Sequence, residues 1–88
     1  MTNTQKSLSI IESIINLAQK KNILRQLLLD LLSEEEIATI SQRIEIAHLL
    51  DKGTSYKQIK VKTGASSATI AKVSEYLNYG YNGYKQVI

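Results

Sequence analysis

Fifty-two residues pass before the first glycine, and no proline occurs anywhere in the 88. With no strong breaker up to Lys52, the N-terminal half reads as helix, and the chain as a whole as an all-α fold. Its length allows one domain, spanning residues 1–88, near the lower limit of what a single core can stabilise without staples. The absence of cysteine and the presence of one histidine exclude a disulfide framework, a cysteine zinc site and a histidine-only metal site. No metal is therefore expected, and packing alone must hold the fold. Hydrophobic residues make up 43% and charged residues 22%, the balance of a globular domain rather than a disordered tail. Glu12, Asn16, Lys20 and Asp30 interrupt the most apolar stretch, which excludes a membrane span. The start, Met1 to Lys6, lacks the basic-then-apolar order of a signal peptide, so a cytoplasmic location is expected.

Three helices are predicted up to Gly53. In the first, Leu8, Ile10, Ile11, Ile14, Ile15, Leu17 and Ala18 fill about half the wheel, more than the roughly 100° stripe that one small core can cover. It should end at Lys20–Asn22. The second carries Ile23, Leu24, Leu27, Leu28, Leu29, Leu31 and Leu32, again apolar over more than one face. The third opens on a capping-box pair, Ser33 and Glu36, with Glu34 and Glu35 at the positive end of its dipole. Its buried stripe is expected at Ile37, Ile40, Ile44, Ala47 and Leu50 or Leu49, with Gly53 as a left-handed cap. So much apolar helix in so short a chain predicts a homodimer in which residues 1–53 supply the dimerisation helices. A monomer with an apolar surface is the alternative, which natural proteins seldom tolerate.

The remaining residues differ in charge. Residues 1–51 hold five basic and seven acidic side chains, net −2, whereas residues 52–88 hold six lysines against Glu75 alone, net +5. Such asymmetry suits a polyanion, most simply nucleic acid, although charge alone leaves a solvated basic face equally open. Ser55 and Gln58 form a second capping-box pair that opens a helix through Thr63 with Ile59 inward; Gly64 breaks it. Ser66 or Ser67 can then cap a helix over Ala68–Leu77 with Ile70, Val73 and Leu77 on one stripe. Helix, glycine turn and helix form a helix-turn-helix unit at residues 55–77. Ser67, Ala68, Thr69 and Ala71 are small enough for a close approach to base edges in the major groove of double-stranded DNA. Ser55, Tyr56, Lys57, Lys60 and Lys72, together with Lys62, are the candidate phosphate contacts. A helical hairpin serving as a protein-interaction module without specific DNA binding is the alternative.

The segments Leu32-Ser33-Glu34-Glu35-Glu36, Gln42-Arg43-Ile44, Leu49-Leu50-Asp51-Lys52-Gly53, Ser55 and Gly64-Ala65-Ser66-Ser67-Ala68-Thr69-Ile70-Ala71-Lys72 resemble the Trp repressor superfamily. The tail, Leu77-Asn78-Tyr79-Gly80 with Gly83-Tyr84-Lys85, is similar to the Trp-repressor-like branch typical of Firmicutes. The likeness runs from about Leu24 to Lys85. It implies an intertwined helical homodimer whose two heads meet successive major grooves of a palindromic operator. It also implies an effector pocket at Ser33, Arg43, Lys72, Val73 and Tyr76. In the tryptophan-sensing members two arginines flank the indole; the first matches Arg43, but the second falls on Lys72, which has no flat stacking surface. Ser33 matches a ligand-holding hydroxyl, while Val73 stands where the family has glycine and Tyr76 where it has serine. These replacements predict that tryptophan is not the effector. The branch's association with amino-acid biosynthesis makes histidine a candidate; no cofactor is expected. For Arg43 the alternative is a surface ion pair with Glu45 or another helix.

His48 is expected to be a half-exposed structural residue, because no second histidine or nucleophile at helical spacing accompanies it. Tyr76, Tyr79, Tyr81 and Tyr84 are expected to pack the C-terminal segment onto the dimer core; stacking on single-stranded bases is the alternative. The chain stops soon after Gly83-Tyr84-Lys85, so a final helix should be very short or cut. No paired carboxylates, metal-ligand cluster or phosphate-binding glycine loop suggests an enzyme. The resulting expectation is a DNA-binding transcriptional regulator, a repressor of amino-acid metabolism genes.

Overall fold

The computed structural model describes residues 2–88 and contains six helices: α1 (Asn3–Lys20), α2 (Leu24–Leu31), α3 (Glu34–Asp51), α4 (Tyr56–Thr63), α5 (Ser67–Tyr79) and α6 (Gly83–Val87). There is no strand among the described residues. The chain forms two compact units, one ending at Glu34 and the other spanning Glu35–Ile88.

In the N-terminal unit α1 starts on a capping box that the sequence reading missed. Thr2 Oγ1 accepts the Gln5 N–H at 3.1 Å, and Gln5 Oε1 accepts the Thr2 N–H at 2.8 Å. The helix stops where Lys20–Asn22 predicted. Asn22 takes φ +58°, its N–H bonds to the Gln19 carbonyl, and the Ile23 N–H reaches back to that of Ala18. This six-to-one closure satisfies two terminal carbonyls at once, and asparagine tolerates the left-handed turn better than most residues. α1 packs on α2, and Ala18 is buried. The larger side chains are less covered: Ile10 is 67% and Leu29 63% exposed, and Leu8, Ile11, Ile14, Leu17 and Leu31 are exposed too.

The C-terminal unit has one core, made by Ile46 and Ala47 of α3, Ile59 of α4, Ala65 of the turn, and Ile70 and Val73 of α5. Leu49, Leu50, Tyr84 and Ile88 pack against it. Here the expected stripe of α3 needs correction, because Ile40 and Ile44 are exposed whereas Ile46, outside that stripe, is fully buried. At about 100° per residue Ile44 and Ile46 point to nearly opposite sides, so only one of them can face this core. Sequence periodicity saw an apolar helix but could not rank its two apolar faces.

α4 and α5 start on the serines that the sequence marks, although of the expected Ser55–Gln58 capping box only the serine half forms. Ser55 Oγ accepts the Gln58 N–H at 3.3 Å to start α4, and Ser66 Oγ accepts the Thr69 N–H at 3.2 Å to start α5. Gly64 sits between them at φ +72°. Thr63 locks the turn from the other side: its hydroxyl donates to the Ile59 carbonyl at 2.7 Å and accepts the Ala65 N–H at 3.2 Å. From α3, Gln42 Nε2 donates to the Thr63 carbonyl at 3.1 Å and ties the end of α4 to the long helix. α6, joined to α5 through Gly80 and Asn82, packs back on α5.

Two glycines are fixed for different reasons, and alanine separates them. At Gly64 a Cβ meets nothing within 4 Å, so Gly64→Ala should cost only the left-handed strain, about 1–2 kcal/mol. A Cβ on Gly80 runs into the carbonyl of Tyr76. Gly80→Ala therefore forces the backbone apart, costs about 1–3 kcal/mol, and should loosen α6. Thermal melts of the two variants, with hydrogen exchange along α6, check both values; equal protection of α6 in the two would contradict the assignment.

Candidate nucleic-acid interface

α5 shows three distinct flanks. Ile70, Val73 and Leu77 are buried, which fixes the helix by its inner side. Ala68, Ala71, Lys72 and Glu75 follow i, i+3, i+4, i+7 spacing and are all exposed. Ser67, in the first turn, is exposed as well. Thr69 is half-buried; its hydroxyl lies 3.0 Å from that of Ser66, so the candidate base contact is also part of the cap. Over Ser67, Ala68 and Ala71 the outer flank offers methyl groups and short side chains, which let a helix backbone come close to a groove floor.

The candidate phosphate contacts surround this flank in sequence and are uniformly accessible. Ser55, Tyr56, Lys57, Lys60, Lys62 and Lys72 are exposed, although the Ser55 hydroxyl is engaged as the α4 cap. Between Lys52 and Lys72 no acidic residue occurs, and Glu75 is the sole one beyond. The first turns of α4 and α5 hold no acidic side chain either. Lys57 stands in the first turn of α4 and Lys60 and Lys62 in its last, and with no acidic neighbour in the sequence between Lys52 and Lys72 these lysines make an anion-attracting surface. Val61, 82% exposed among these lysines, is the apolar exception.

The remaining flank of α5 lines a cleft of about 360 Å³. Thr69, Lys72, Val73 and Tyr76, again at i, i+3, i+4, i+7 spacing, form one wall; Arg43 of α3 and Tyr84 of α6 complete it. The cleft thus gathers Arg43, Lys72, Val73 and Tyr76 of the predicted effector pocket. Ser33 lies in the N-terminal unit, immediately before α3. Thr69 and Tyr84 are lining residues that the sequence reading did not assign to the pocket. Only the Thr69 spacing along α5 carried a signal for this, whereas Tyr84 and Arg43 are forty-one positions apart in the chain.

The tyrosines separate. Tyr84 packs against the core and Tyr76 is half-exposed. Tyr79 and Tyr81 are 88% and 98% exposed, so within one chain they do not pack as expected. Tyr79 is the last residue of α5, and Tyr81 lies in the turn to α6 that also holds Gly80 and Asn82, the latter at φ +64°. His48 is exposed near the end of α3. Among the described residues no group of three or more His, Asp or Glu is placed to hold a metal, and no helix is long and apolar enough to cross a membrane.

Comparison with known proteins agrees with this architecture. The uncharacterized protein YerC of Bacillus subtilis (strain 168) is 42% identical over 59 residues, a stretch covering 67% of this chain and 57% of that protein. The matched region therefore spans a little over half the length of that relative. No solved structure matches. A family model described as Trp repressor protein matches residues 6–88, nearly the whole chain. With helices throughout and a basic C-terminal unit built around a capped glycine turn, the chain belongs to the Trp repressor protein family, a family of DNA-binding regulators.

Proposed function

We propose that the protein is a sequence-specific, double-stranded DNA-binding transcriptional regulator, a cytoplasmic repressor of amino-acid metabolism genes. The observation that carries this reading is the outer flank of α5, where Ala68 and Ala71 stand exposed beside Lys72 on a helix anchored by Ile70 and Val73. In this reading Ser67, Ala68, Thr69 and Ala71 meet base edges, and Ser55, Tyr56, Lys57, Lys60 and Lys72 meet the backbone. Replacing Thr69 by alanine should cost about 1–3 kcal/mol at the preferred site and relax preference there, whereas Lys57→Ala should weaken every sequence alike and lower the salt slope by about 1 for each subunit bound. Anisotropy titrations of both variants on selected and random duplexes test this. Equal losses on both DNAs for both variants would contradict it.

The active form is proposed to be an intertwined homodimer on a palindromic operator. The exposed Ile10, Leu29 and Leu31 of the N-terminal unit and Ile40 and Ile44 of α3 support it, since apolar side chains in such numbers seldom face water. Light scattering at micromolar concentration should give twice the 9.9 kDa chain mass; a stable species at the single-chain mass would refute the dimer. The cleft beside α5 is proposed to take an effector other than tryptophan. Lys72, Val73 and Tyr76 do not suit an indole amino acid, because lysine replaces the second of two flat cations and valine and tyrosine take up space beside Arg43.

A further inference from the structure

We propose that Asn82-Gly83, in the turn between α5 and α6, is a self-modification site: Asn82 loses ammonia through a cyclic imide, and the isoaspartate that results releases α6 from the core. Neither step depends on whether the chain binds DNA.

The chemistry requires a backbone nitrogen that can reach the side-chain carbonyl carbon of the asparagine before it. Gly83 has no Cβ to obstruct that approach, and both residues are exposed. The Asn82 side chain makes no cap hydrogen bond. The Gly83 N–H, at the first position of α6, has no carbonyl four residues back within that helix to hold it. The other four asparagines supply the contrast. Asn22 is exposed and left-handed like Asn82, at φ +58° against +64°. Its next residue, however, is the β-branched Ile23, whose N–H is held by the Ala18 carbonyl at 2.9 Å. Asn78 precedes Tyr79 inside α5, and its carboxamide donates to the Ser74 carbonyl at 2.9 Å. Asn3 and Asn16 lie within α1, before Thr4 and Leu17.

Water is the sole co-reactant. The Gly83 nitrogen gives its proton to base and bonds to Cγ of Asn82; the Cγ–Nδ2 bond breaks, and ammonia leaves carrying that proton. Water then opens the five-membered imide. Attack at Cγ restores the backbone with an aspartate side chain. Attack at the backbone carbonyl carbon leaves the chain running through Cγ, one methylene longer, with the α-carboxylate as its side chain. Either product carries one more negative charge.

The fold gates the reaction and then responds to it. With Asn82 at ψ 13° the Gly83 nitrogen is turned away from Cγ, so the ring closes only when the turn opens. In the isoaspartate form the added methylene shifts Gly83 relative to Gly80, and α6 no longer seats Tyr84 and Ile88 on the core they pack against.

Ageing the full chain at neutral and at mildly alkaline pH, followed by tryptic mapping, tests the site; the fragment Val73–Lys85 holds both Asn78 and Asn82. A gain of about 1 Da is expected at Asn82, ammonia out and water in, faster at the higher pH and at least tenfold slower at Asn22 and Asn78. Gly83→Ala, whose Cβ meets nothing within 4 Å, should slow the reaction at least fivefold without lowering the melting temperature. Gly80→Ala, which loosens α6, should speed it at least twofold. The acidic species separated by ion exchange should lose hydrogen-exchange protection along α6 in proportion to its isoaspartate content, and should melt at least about 4 °C lower. Freshly purified Asn82→Asp, which adds the charge without the methylene, should match the parent in both. A rate at Asn82 no faster than at Asn22 and Asn78, or unchanged in Gly83→Ala, would overturn the site. A parent-like rate in Gly80→Ala would overturn the gating, and full protection of α6 in the isoaspartate form would overturn the release.

Discussion

Ile46→Ala should lower stability by about 2–5 kcal/mol, the range for emptying a fully buried isoleucine site that cannot collapse. Ile46 has no exposed surface and meets the core formed by α3, α4, the turn and α5. For a domain of this size that cost corresponds to a fall in melting temperature of roughly 8–40 °C, and it is a large part of a total stability of about 5–15 kcal/mol. DNA binding should fall with it, because α5 is held in place through Ile70 and Val73 of the same core. Ile46→Val should cost only about 0.5–1.5 kcal/mol, and Val61→Ala, on the exposed side of α4, should stay within about 0.5 kcal/mol. Calorimetric melts of the three variants check the ranking. An Ile46→Ala melt close to that of Val61→Ala would mean that the core of the C-terminal unit lies elsewhere.

Removing Lys57, Lys60 and Lys72 together should have the largest effect on function. Each phosphate contact contributes about 0.9 to the slope of log affinity against log salt, so three should lower it by about 2.7 for each subunit bound. Extrapolated from the molar reference, that is, for each subunit, a loss of roughly three-thousandfold at 50 mM salt, shrinking to roughly eightyfold at 200 mM. The loss should be the same on random and preferred DNA, since phosphate contacts carry no sequence information. All three lysines are exposed, so the circular dichroism of the triple variant should match that of the parent. An unchanged salt slope in a folded triple variant would remove these lysines from the interface.

Local features of this fold were legible in the sequence, and long-range ones were not. Ser66 before Ser67-Ala68, Gly64 after Thr63, and the Ile70, Val73, Leu77 spacing each act within one or two turns, and all were readable from neighbouring residues. The choice between Ile44 and Ile46 was not, because α3 is apolar on two sides and only the positions of α4 and α5 decide which side is covered. The Gln42 to Thr63 hydrogen bond spans twenty-one positions and leaves no periodic trace. Thr2 and Gln5 had the pattern of a capping box but stand in a polar start that gave no reason to seek a helix there. The turn that carries Tyr81 includes Asn82 at a positive φ, a conformation that a single asparagine permits without requiring. For the cleft, the family likeness marked four of the residues that line it; Thr69 was readable only from its spacing along α5, and Tyr84 only from the packing of α6 on α5.

The central claim is that the C-terminal unit reads DNA sequence. Fluorescence anisotropy with random duplex and with fragments from upstream of the protein's own gene, each at two salt concentrations, tests it most directly. The account predicts salt-sensitive binding to both, with one fragment preferred by a factor of about a thousand or more. Absence of binding at low salt, with or without added amino acids, would contradict it and leave a helical protein-interaction module as the better description of the same surface.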